Sequence, residues 1–552
     1  MKQNIPDEQY IADALWQKNF DLSKVPQEIK TKITSQKHSA AAYGERMRDY
    51  INWLYDHPQS YNPNYNQRYK QLSRAVQSLT PHQAYILRSN TLGKNASQGF
   101  EKIPDKANIK LPHDNKLMLR SQVGWHFFVG SVWGEDGQEY GVELMFFGTA
   151  ILPPQLAADA GLSDLENQIM EVQLAISKAG EVHHQADPVV VAGTSGLLEC
   201  STDPFSISLG KNHLRSSKKG ALFPLNLTAK GWDRAKAGDS FEIGLDLNVN
   251  SDRPVLYQGD DGAMPSLAGI GTLYYSIPAL EISPGSSLTY GGKQVKLKRG
   301  LLWYDHQWGF MGGNPNSAVL RAASNMGGAP ASGWDWYMMQ FDGNRQITVF
   351  ATHSNKLKQF YFQSGPTPPG TMQVSVAGKY MDEAGDLHIV WGELTIDGWA
   401  QAKTSPNPAL YPVTNVWHPN HWIFEFNDPV PEDIRHFSME QIVPVAQTNY
   451  FANTAQYNEG AVYIKNVQGE DIGRGFAEAV SYANTSENAY RLLGFEQNAR
   501  LTRTLQNQTA SLLGRLASLC FVIGHQSELK HELTHAAGLE FMGPGPAPVR
   551  RT

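Results

Sequence analysis

The spacing of apolar residues changes twice along the chain and divides it into three regions. In residues 1–112, segments such as AAAYGERMRDYINWLYDH (40–57) and NQRYKQLSRAVQSL (66–79) place apolar residues three and four positions apart, which predicts amphipathic helices. From residue 113 onward, short runs rich in aromatic and β-branched residues follow a period of two, and Gly, Asp, Asn or Pro turns separate them. The helical period returns in residues 485–552.

The middle region predicts antiparallel β-structure. Many regularly spaced strands with no helices between them are typical of β-barrels and β-sandwiches. Because this stretch is too long for one small barrel, we predict two consecutive β domains, residues 113–285 and 286–484, that meet near SPGSS (283–287). The predicted fold class is therefore mainly β, with helical extensions at residues 1–112 and 485–552.

Charge and hydropathy argue against several classes of protein. The net charge is -6, and no block of Lys or Arg supplies the basic surface that nucleic-acid binding needs. The N-terminal MKQNIPDEQYIADALW lacks the apolar core of a secretory signal, and no stretch reaches the roughly 20 apolar residues of a spanning helix. We expect a cytoplasmic protein. The apolar LLGRLASLCFVIG (512–524) is interpreted as a docking helix face, with peripheral membrane contact as the alternative.

Two His-containing segments resemble metal sites. HELTH (531–535) matches the H-E-x-x-H pattern that binds zinc on one helix face, but Phe541 stands where the longer signature needs a His. We interpret this segment as a solvated helix face. In VHHQAD (182–187), His183 and His184 are adjacent and therefore point to opposite sides of a strand. We predict no metal site.

Two Trp-rich strands contain acidic residues. In LLWYDHQWGF (301–310), a period of two separates two faces, one with Trp303, Asp305 and Gln307 and the other with Tyr304, His306 and Trp308. In GWDWYMMQ (333–340), the same period places Asp335 and Tyr337 on one face and Trp334 and Trp336 on the other. One interpretation is a barrel wall packed with aromatic rings whose polar tips are hydrogen-bonded. Because charges are rarely buried unless they are paired or functional, the aspartates also indicate a pocket that holds a carboxyl group.

Several segments resemble, in their order and spacing, the family of carotenoid 1,2-hydratase (hydroxyneurosporene synthase) and AttH-like proteins. The resemblance runs through most of the β region, in GWHFFVGSV (124–132), YGVELMFFGTA (140–150), GTLYYSIPAL (271–280), GLLWYDHQWG (300–309), GWDWYMMQFDG (333–343) and YNEGAVYIKNVQGEDIGRGFAE (457–478). Gly124 and His126 depart from the Glu and Trp of the family's early strand, and the helical extensions fall outside the resemblance. These departures indicate a divergent branch with its own substrate.

The resemblance implies a pair of lipocalin-like β-barrels, in agreement with the two predicted β domains. Related double-lipocalin proteins include hydratases of isoprenoid double bonds and cyclases of natural-product polyenes. We therefore expect a hydro-lyase that acts on a C=C bond of a hydrophobic isoprenoid or polyene. Two alternatives stay open: a Diels–Alderase-like cyclase that uses the same pocket, and a carrier that binds a hydrophobic ligand without turnover.

Hydration of an alkene needs a proton donor, a positioned water and stabilisation of a cation. A carboxylic acid in an apolar pocket keeps its proton because desolvation raises its pKa, and aromatic faces attract cations. We predict Asp335 as the acid, since it matches the aspartate of the family's Trp-Asp-Trp strand, with His306 hydrogen-bonded to it or to the water. Asp305 is the second choice. Because it points away from His306, we predict that Asp305 and Trp303 instead anchor the barrel wall or the domain junction.

The remaining predicted site residues bind the substrate. They are Trp308, Tyr337, Tyr304, Trp125, Tyr275 and Glu459. Glu459, at the start of the last predicted hairpin, is also a candidate acid. No nucleotide-binding loop or cofactor motif is present in the sequence, and acid–base hydration requires no cofactor.

Overall fold

The computed structural model of the chain describes the β region almost completely. The described residues are 100, 103, 107–150, 154–159, 163–186, 189–193, 198–236, 239–265, 270–311, 334–352, 367–402, 416–450 and 456–483. Nearly all of the predicted N-terminal helical extension lies outside these residues, as do the predicted C-terminal extension and HELTH (531–535). In the described part of the chain, no helix is long and apolar enough to cross a membrane.

The first sheet contains fifteen strands, most of them joined in antiparallel order. The strands are β1 (Val123–Gly134), β2 (Glu139–Ala150), β3 (Gln168–Lys178), β4 (His183–Gln185), β5 (Val189–Ala192), β6 (Leu198–Thr202), β7 (Phe205–Leu209), β8 (Asn212–Ser216), β9 (Leu225–Lys236), β10 (Asp239–Asn250), β11 (Leu256–Tyr257), β12 (Ala263–Pro265), β13 (Ile270–Ile282), β14 (Ser287–Tyr290) and β15 (Lys293–Met311). A 3-10 turn, η1 (His113–Asn115), precedes them, and a short helix, α1 (Pro154–Asp159), follows β2.

The second sheet contains nine strands, eight of which close into an antiparallel barrel because β21 pairs with β23. The strands are β16 (Trp334–Phe341), β17 (Arg345–Thr352), β18 (Met372–Met381), β19 (Leu387–Ala402), β20 (Val416–Phe426), β21 (His436–Gln441), β22 (Thr448–Tyr450), β23 (Gln456–Asn466) and β24 (Asp471–Ala483), with a 3-10 turn, η2 (Glu432–Ile434), before β21. The prediction of a mainly β fold with two lipocalin-like units is confirmed.

The boundary between the two units differs from the predicted one. β15 begins after the predicted boundary, yet it pairs with β1 and β13 of the first sheet, with Asp305 opposite Phe127 and Ser276. The sequence SPGSS (283–287) forms the tight connection from β13 to β14, two strands of the first sheet that do not pair with each other, because a Pro-Gly turn signal serves a turn within one sheet as readily as a domain linker. The chain passes to the second sheet only after residue 311.

The first sheet curls until β4, at one end of the strand order, meets β9 and β10 through side chains. The imidazole of His184 on β4 hydrogen-bonds Asp233 on β9 at 2.7 Å, and it stacks on Phe241 of β10 at 4.0 Å between ring centroids. His183 points the other way, as the strand period predicts. The apolar interior that results runs from β1 to β15.

Each sheet has its own apolar interior, and a third apolar cluster joins them. Phe127, Val129 and Trp303 from the first sheet pack there against outward-facing residues of β16 and β24, among them Trp336 and Phe476. The sheets approach closely, since a Cβ atom added at Gly141 would lie 2.6 Å from that of Ala461. An ion pair between Arg474 and Glu139, 2.7 Å long, crosses the same boundary.

Candidate active site

The inner face of β15 carries three predicted site residues into the interior of the first sheet, and the neighbouring strand β13 adds a fourth, Tyr275. The imidazole of His306 stacks on that of His126 at 3.9 Å, and it lies 4.6 Å from the Trp308 ring and 5.6 Å from the Tyr275 ring. Tyr304 hydrogen-bonds His126 Nδ1 at 2.8 Å. The structure therefore brings His306, Trp308, Tyr304 and Tyr275 together.

A segment that precedes β1 closes this aromatic cluster on one side. The Tyr275 hydroxyl donates to Asn115 Oδ1 at 2.6 Å, and Leu117 belongs to the same apolar core. Burial lowers the pKa of His306 to about 4, and its Nδ1 donates to the carbonyl oxygen of Trp125 at 2.9 Å. His306 is thus a neutral imidazole in a packed interior, which favours a role in the core.

Asp335 and Tyr337 lie in the interior of the second barrel. Tyr337 packs in its apolar core, with its ring 5.9 Å from that of Trp422. Asp335 shares this face of β16 and is fully buried beside Ala351 and Ala479 of the neighbouring strands. The alternation of β16 therefore turns Asp335 away from the first sheet.

The structure separates His306 from Asp335, so the first of the two predicted roles of His306, a hydrogen bond to Asp335, is not formed; the second, a hydrogen bond to the water, stays a prediction. His306 points into the first sheet and Asp335 into the second barrel, and the outer faces of the same two strands meet between them. There the rings of Trp303 and Trp336 make an edge contact at 6.4 Å. The alternation within each strand was predicted correctly, but β16 does not pair with β15, so the two inner faces never meet.

Asp305 lies on this shared boundary, on the face that the period of two predicts for it. Its Oδ1 accepts hydrogen bonds from Ser276 Oγ at 2.5 Å and from Trp303 Nε1 at 2.7 Å. Burial raises the pKa of Asp305 to about 7, against the effect of these donors. With both donors on the first sheet, the carboxyl group holds Trp303 in place against the second sheet.

A second carboxyl group on the boundary, Glu143 of β2, was not among the predicted residues. Its Oε2 accepts from Asn449 Nδ2 at 2.6 Å. Its Oε1 lies 3.1 Å from the Tyr457 hydroxyl, whose single proton can go either to this oxygen or to Gln173 Oε1 at 2.8 Å. Burial raises the pKa of Glu143 to about 8, although hydrogen bonds from Tyr457 and Asn449 oppose the shift. Asn449 and Tyr457 belong to the second sheet, so this carboxyl group is bound across the boundary.

Glu459 faces the same boundary from β23. It is buried, and burial together with the charges of Glu143 and Glu478 raises its pKa well above the usual range of a glutamate. In the described part of the chain, its Oε1 has no hydrogen-bond partner. The register places Glu459 in one row with Glu478 and Trp336, whose Nε1 is likewise buried without a partner among the described residues.

One edge of the boundary is open to solvent and lined by aromatic rings. Trp125 and Phe147 stack at 5.7 Å and are only partly buried, as are Gln307 beside Trp125 and Glu478 opposite. Behind this rim, register places Phe127 and Met145 one row deeper and Glu143 two rows deeper. Aromatic rings therefore lie nearest to solvent at this edge, and the carboxyl group of Glu143 lies deeper in the boundary.

The residues that sequence reasoning missed carried a usable signal. Glu143 is the single charge among apolar neighbours in YGVELMFFGTA (140–150), and Glu478 lies in a similar setting in RGFAEAV (474–480). Like the two aspartates, both glutamates are charged residues within apolar strands, where charges are rarely buried unless they are paired or functional. Of the predicted residues, Trp125, Trp303, Asp305 and Glu459 lie on this boundary.

Chemically, the boundary combines a proton donor with an aromatic binding surface. A carboxyl group that stays protonated near neutral pH can act as a general acid, and a neighbour with a pKa near 8 can accept a proton. In the described residues, no group of three or more His, Cys, Asp or Glu side chains is arranged to hold a metal ion.

Fold and boundary together define a class of protein: two lipocalin-like β units whose shared boundary holds buried acids. Residues 102–374 match the model of the family described as AttH-like. No curated protein matches the chain.

Solved structures with a similar outline include AttH from Nitrosomonas europaea, with 16% identity and a TM-score of 0.48 over 69% of this chain and 100% of that chain. Kievitone hydratase from Nectria haematococca has 14% identity and a TM-score of 0.40 over 69% of this chain and 98% of that chain. CghA with Sch210972 has 12% identity and a TM-score of 0.34 over 70% of this chain and 97% of that chain. At such low similarity, the reaction has to be argued from this chain's own residues.

Proposed function

We propose that the boundary between the two sheets is the active site of a hydro-lyase that adds water to, or removes it from, a C=C bond of a hydrophobic molecule. The observation that carries the proposal is the pair of buried carboxyl groups, Glu143 from the first sheet and Glu459 from the second, behind an aromatic rim. Both have raised pKa values, so protons are held where an apolar substrate could receive one.

Glu459 is the proton donor in this proposal. Its Oε1 has no partner in the described part of the chain, whereas both oxygens of Glu143 are hydrogen-bonded. A proton shared by two close carboxyl groups resides on the one with fewer donors, because donors stabilise the charged form. Glu143 is then the base that takes a proton from the attacking water, and its pKa of about 8 suits that role.

The aromatic residues at the boundary would bind an unsaturated substrate and stabilise the carbocation formed from it. Trp125 and Phe147 offer stacked faces at the rim, and Trp336 lies in the row of Glu459. Aromatic faces stabilise a carbocation and bind unsaturated hydrocarbon chains, which supports an isoprenoid or polyene substrate. The resemblance of the sequence to carotenoid 1,2-hydratase supports the same substrate class.

The proposal competes with the assignment of Asp335 as the acid. Asp335 lies inside the second barrel, away from Glu143 and Glu459. If it were the acid, the substrate would bind within the barrel and the boundary carboxyls would be structural. The two assignments therefore differ in which variant loses activity.

The test is turnover of a panel of linear isoprenoids with terminal double bonds, in water enriched in heavy oxygen, followed by mass spectrometry. We expect a product that has gained one labelled water, or the reverse loss from the corresponding tertiary alcohol. The Glu459→Gln variant should lose about 10²–10⁴-fold in rate, and Asp335→Asn should keep wild-type activity. A product of unchanged mass would instead indicate a cyclase, and a ligand recovered unchanged with no turnover of the panel would indicate a carrier.

A further inference from the structure

A chain of hydrogen bonds ends at Glu143 Oε2, and in each of them the acceptor lies on the side toward Glu143. Asn449 Nδ2 donates to that oxygen, and Asn449 Oδ1, which can only accept, lies 2.7 Å from His183 Nε2. The His183 proton is therefore on Nε2, and Nδ1 accepts from the Ser177 hydroxyl at 2.9 Å. Ser177 Oγ in turn accepts from Gln447 Nε2 at 2.9 Å. Every proton in this chain points toward Glu143.

The neutral state that this chain requires of His183 agrees with its surroundings. Burial lowers the pKa of His183 to about 4, so the ring carries one proton at neutral pH. Gly460 leaves the space for the Gln447 amide, since a Cβ atom there would lie 2.0 Å from Gln447 Nε2. Every hydrogen bond in the chain except the one from Ser177 to His183 joins the first unit to the second. The direction of the proton donors therefore depends on the association of the two units.

Because of this chain, a proton on Glu143 can reside on only one of the two carboxyl oxygens. Oε2 is occupied by the Asn449 donor, so the proton resides on Oε1, which faces the Tyr457 hydroxyl at 3.1 Å. Tyr457 and Glu459 lie two residues apart on one face of β23, and a hydrogen bond from the same hydroxyl opposes the upward shift of the Glu459 pKa. The Tyr457 hydroxyl therefore lies beside both carboxyl groups.

We propose that Tyr457 returns the proton from Glu143 to Glu459 after each turnover, with His183 and Asn449 as positioning residues that set its direction. This inference rests on the proposed function. In hydration, Glu459 gives its proton to an alkene carbon, and water attacks the cation while its proton passes to the Glu143 carboxylate. Glu143 Oε1 then gives that proton to the Tyr457 oxygen as the Tyr457 proton moves to Glu459. The sum is alkene plus water to alcohol.

The charged groups around Tyr457 favour such a concerted transfer over an ionised intermediate. Burial and the carboxylates of Glu143, Glu459 and Glu478 raise the pKa of Tyr457 well above its usual value, so the phenol does not lose its proton outright. The hydroxyl also lies 2.8 Å from the neutral Gln173 Oε1, which can accept a hydrogen bond from it but cannot take its proton.

The experiment compares the first turnover with later ones in Tyr457→Phe, with the substrate found in the isoprenoid panel. Since Glu459 is already protonated, we expect a burst of one product per enzyme at nearly the wild-type rate, then a steady state slowed about 100-fold. Tyr463→Phe, on the same face of β23 and partly buried, is the matched control and should show wild-type kinetics.

The outcomes separate the relay from the proposed function. If Glu459→Gln is inactive but Tyr457→Phe reaches the wild-type steady state without a burst, the relay is wrong and the active site stands. If the first and later turnovers slow equally, Tyr457 does not act in the return of the proton from Glu143 to Glu459, and the relay is again wrong. If Glu459→Gln is fully active, the proposed function fails first.

A second pair of variants tests the direction of the chain without touching Tyr457. His183→Phe removes the donor that orients the Asn449 amide. The return of the proton to Glu459 should therefore slow, while the burst of the first turnover persists. His183→Gln can place its amide nitrogen near Nε2 and should restore the wild-type steady state. Equal kinetics of His183→Phe and wild type would contradict the directed chain.

Discussion

Glu143→Gln should make the protein more resistant to alkaline pH. Burial raises the pKa of Glu143 from an ordinary value of 4.5 to about 8 in the folded protein. The folded state therefore keeps this proton after the unfolded chain has lost it, and stability falls as pH rises from about 4.5 to 8. Each pKa unit corresponds to about 1.4 kcal/mol, so Glu143 alone removes about 5 kcal/mol over this window.

A glutamine in place of Glu143 keeps the shape and mimics the protonated form, with its oxygen toward Asn449 and its amide group toward Tyr457. We expect wild type and Glu143→Gln to unfold at similar urea concentrations at pH 5, and the variant to be more stable by roughly 2–5 kcal/mol at pH 9. Glu393→Gln, an exposed residue on the outer wall of the second barrel, is the control and should follow wild type. Parallel pH dependence of Glu143→Gln and wild type would refute the reasoning.

Two further predictions follow from the same boundary. The kcat/KM for hydration should rise as pH increases through about 8, because Glu143 then loses its proton and can act as a base. It should fall at higher pH, where Glu459 loses the proton that it donates. A full pH profile of kcat/KM measures both changes, and a rate that declines steadily from pH 5 would contradict the roles of the two glutamates. Trp336→Leu, which truncates a buried ring that packs against Trp303, should cost about 3 kcal/mol and loosen the sheet boundary. Limited proteolysis and urea unfolding measure this effect, and Trp391→Leu, at a ring that is 61% exposed, should leave both nearly unchanged.

The sequence predicted the strands and their faces well, because a period of two is a local property. It placed Asp305 and His306 on opposite faces of β15 and indicated that Asp305 with Trp303 anchors the wall or the junction, as the structure has it. It also predicted two β units in succession. These conclusions need only the alternation of side chains along one strand.

The partners of each face could not be predicted, because strand order is a long-range property. His306 and Asp335 looked like one site since their strands are neighbours in sequence, but β15 pairs with β1 and β13 while β16 pairs with β17 and β24. Glu143 and Asn449 are 306 positions apart, and the local sequence around either residue does not predict their contact. The predicted boundary between the two units was misplaced for a related reason, since a Pro-Gly turn has the same sequence signal within one sheet and in a linker between domains.

The most direct test of the account compares Glu459→Gln with Asp335→Asn, at saturating amounts of the same substrate and with incorporation of heavy oxygen from water as the readout. Both variants replace a buried carboxyl group by a neutral amide of the same shape, one at the sheet boundary and one inside the second barrel. The account predicts that labelled product disappears in Glu459→Gln and forms at the wild-type rate in Asp335→Asn. The opposite pattern would contradict it and move the active site into the barrel.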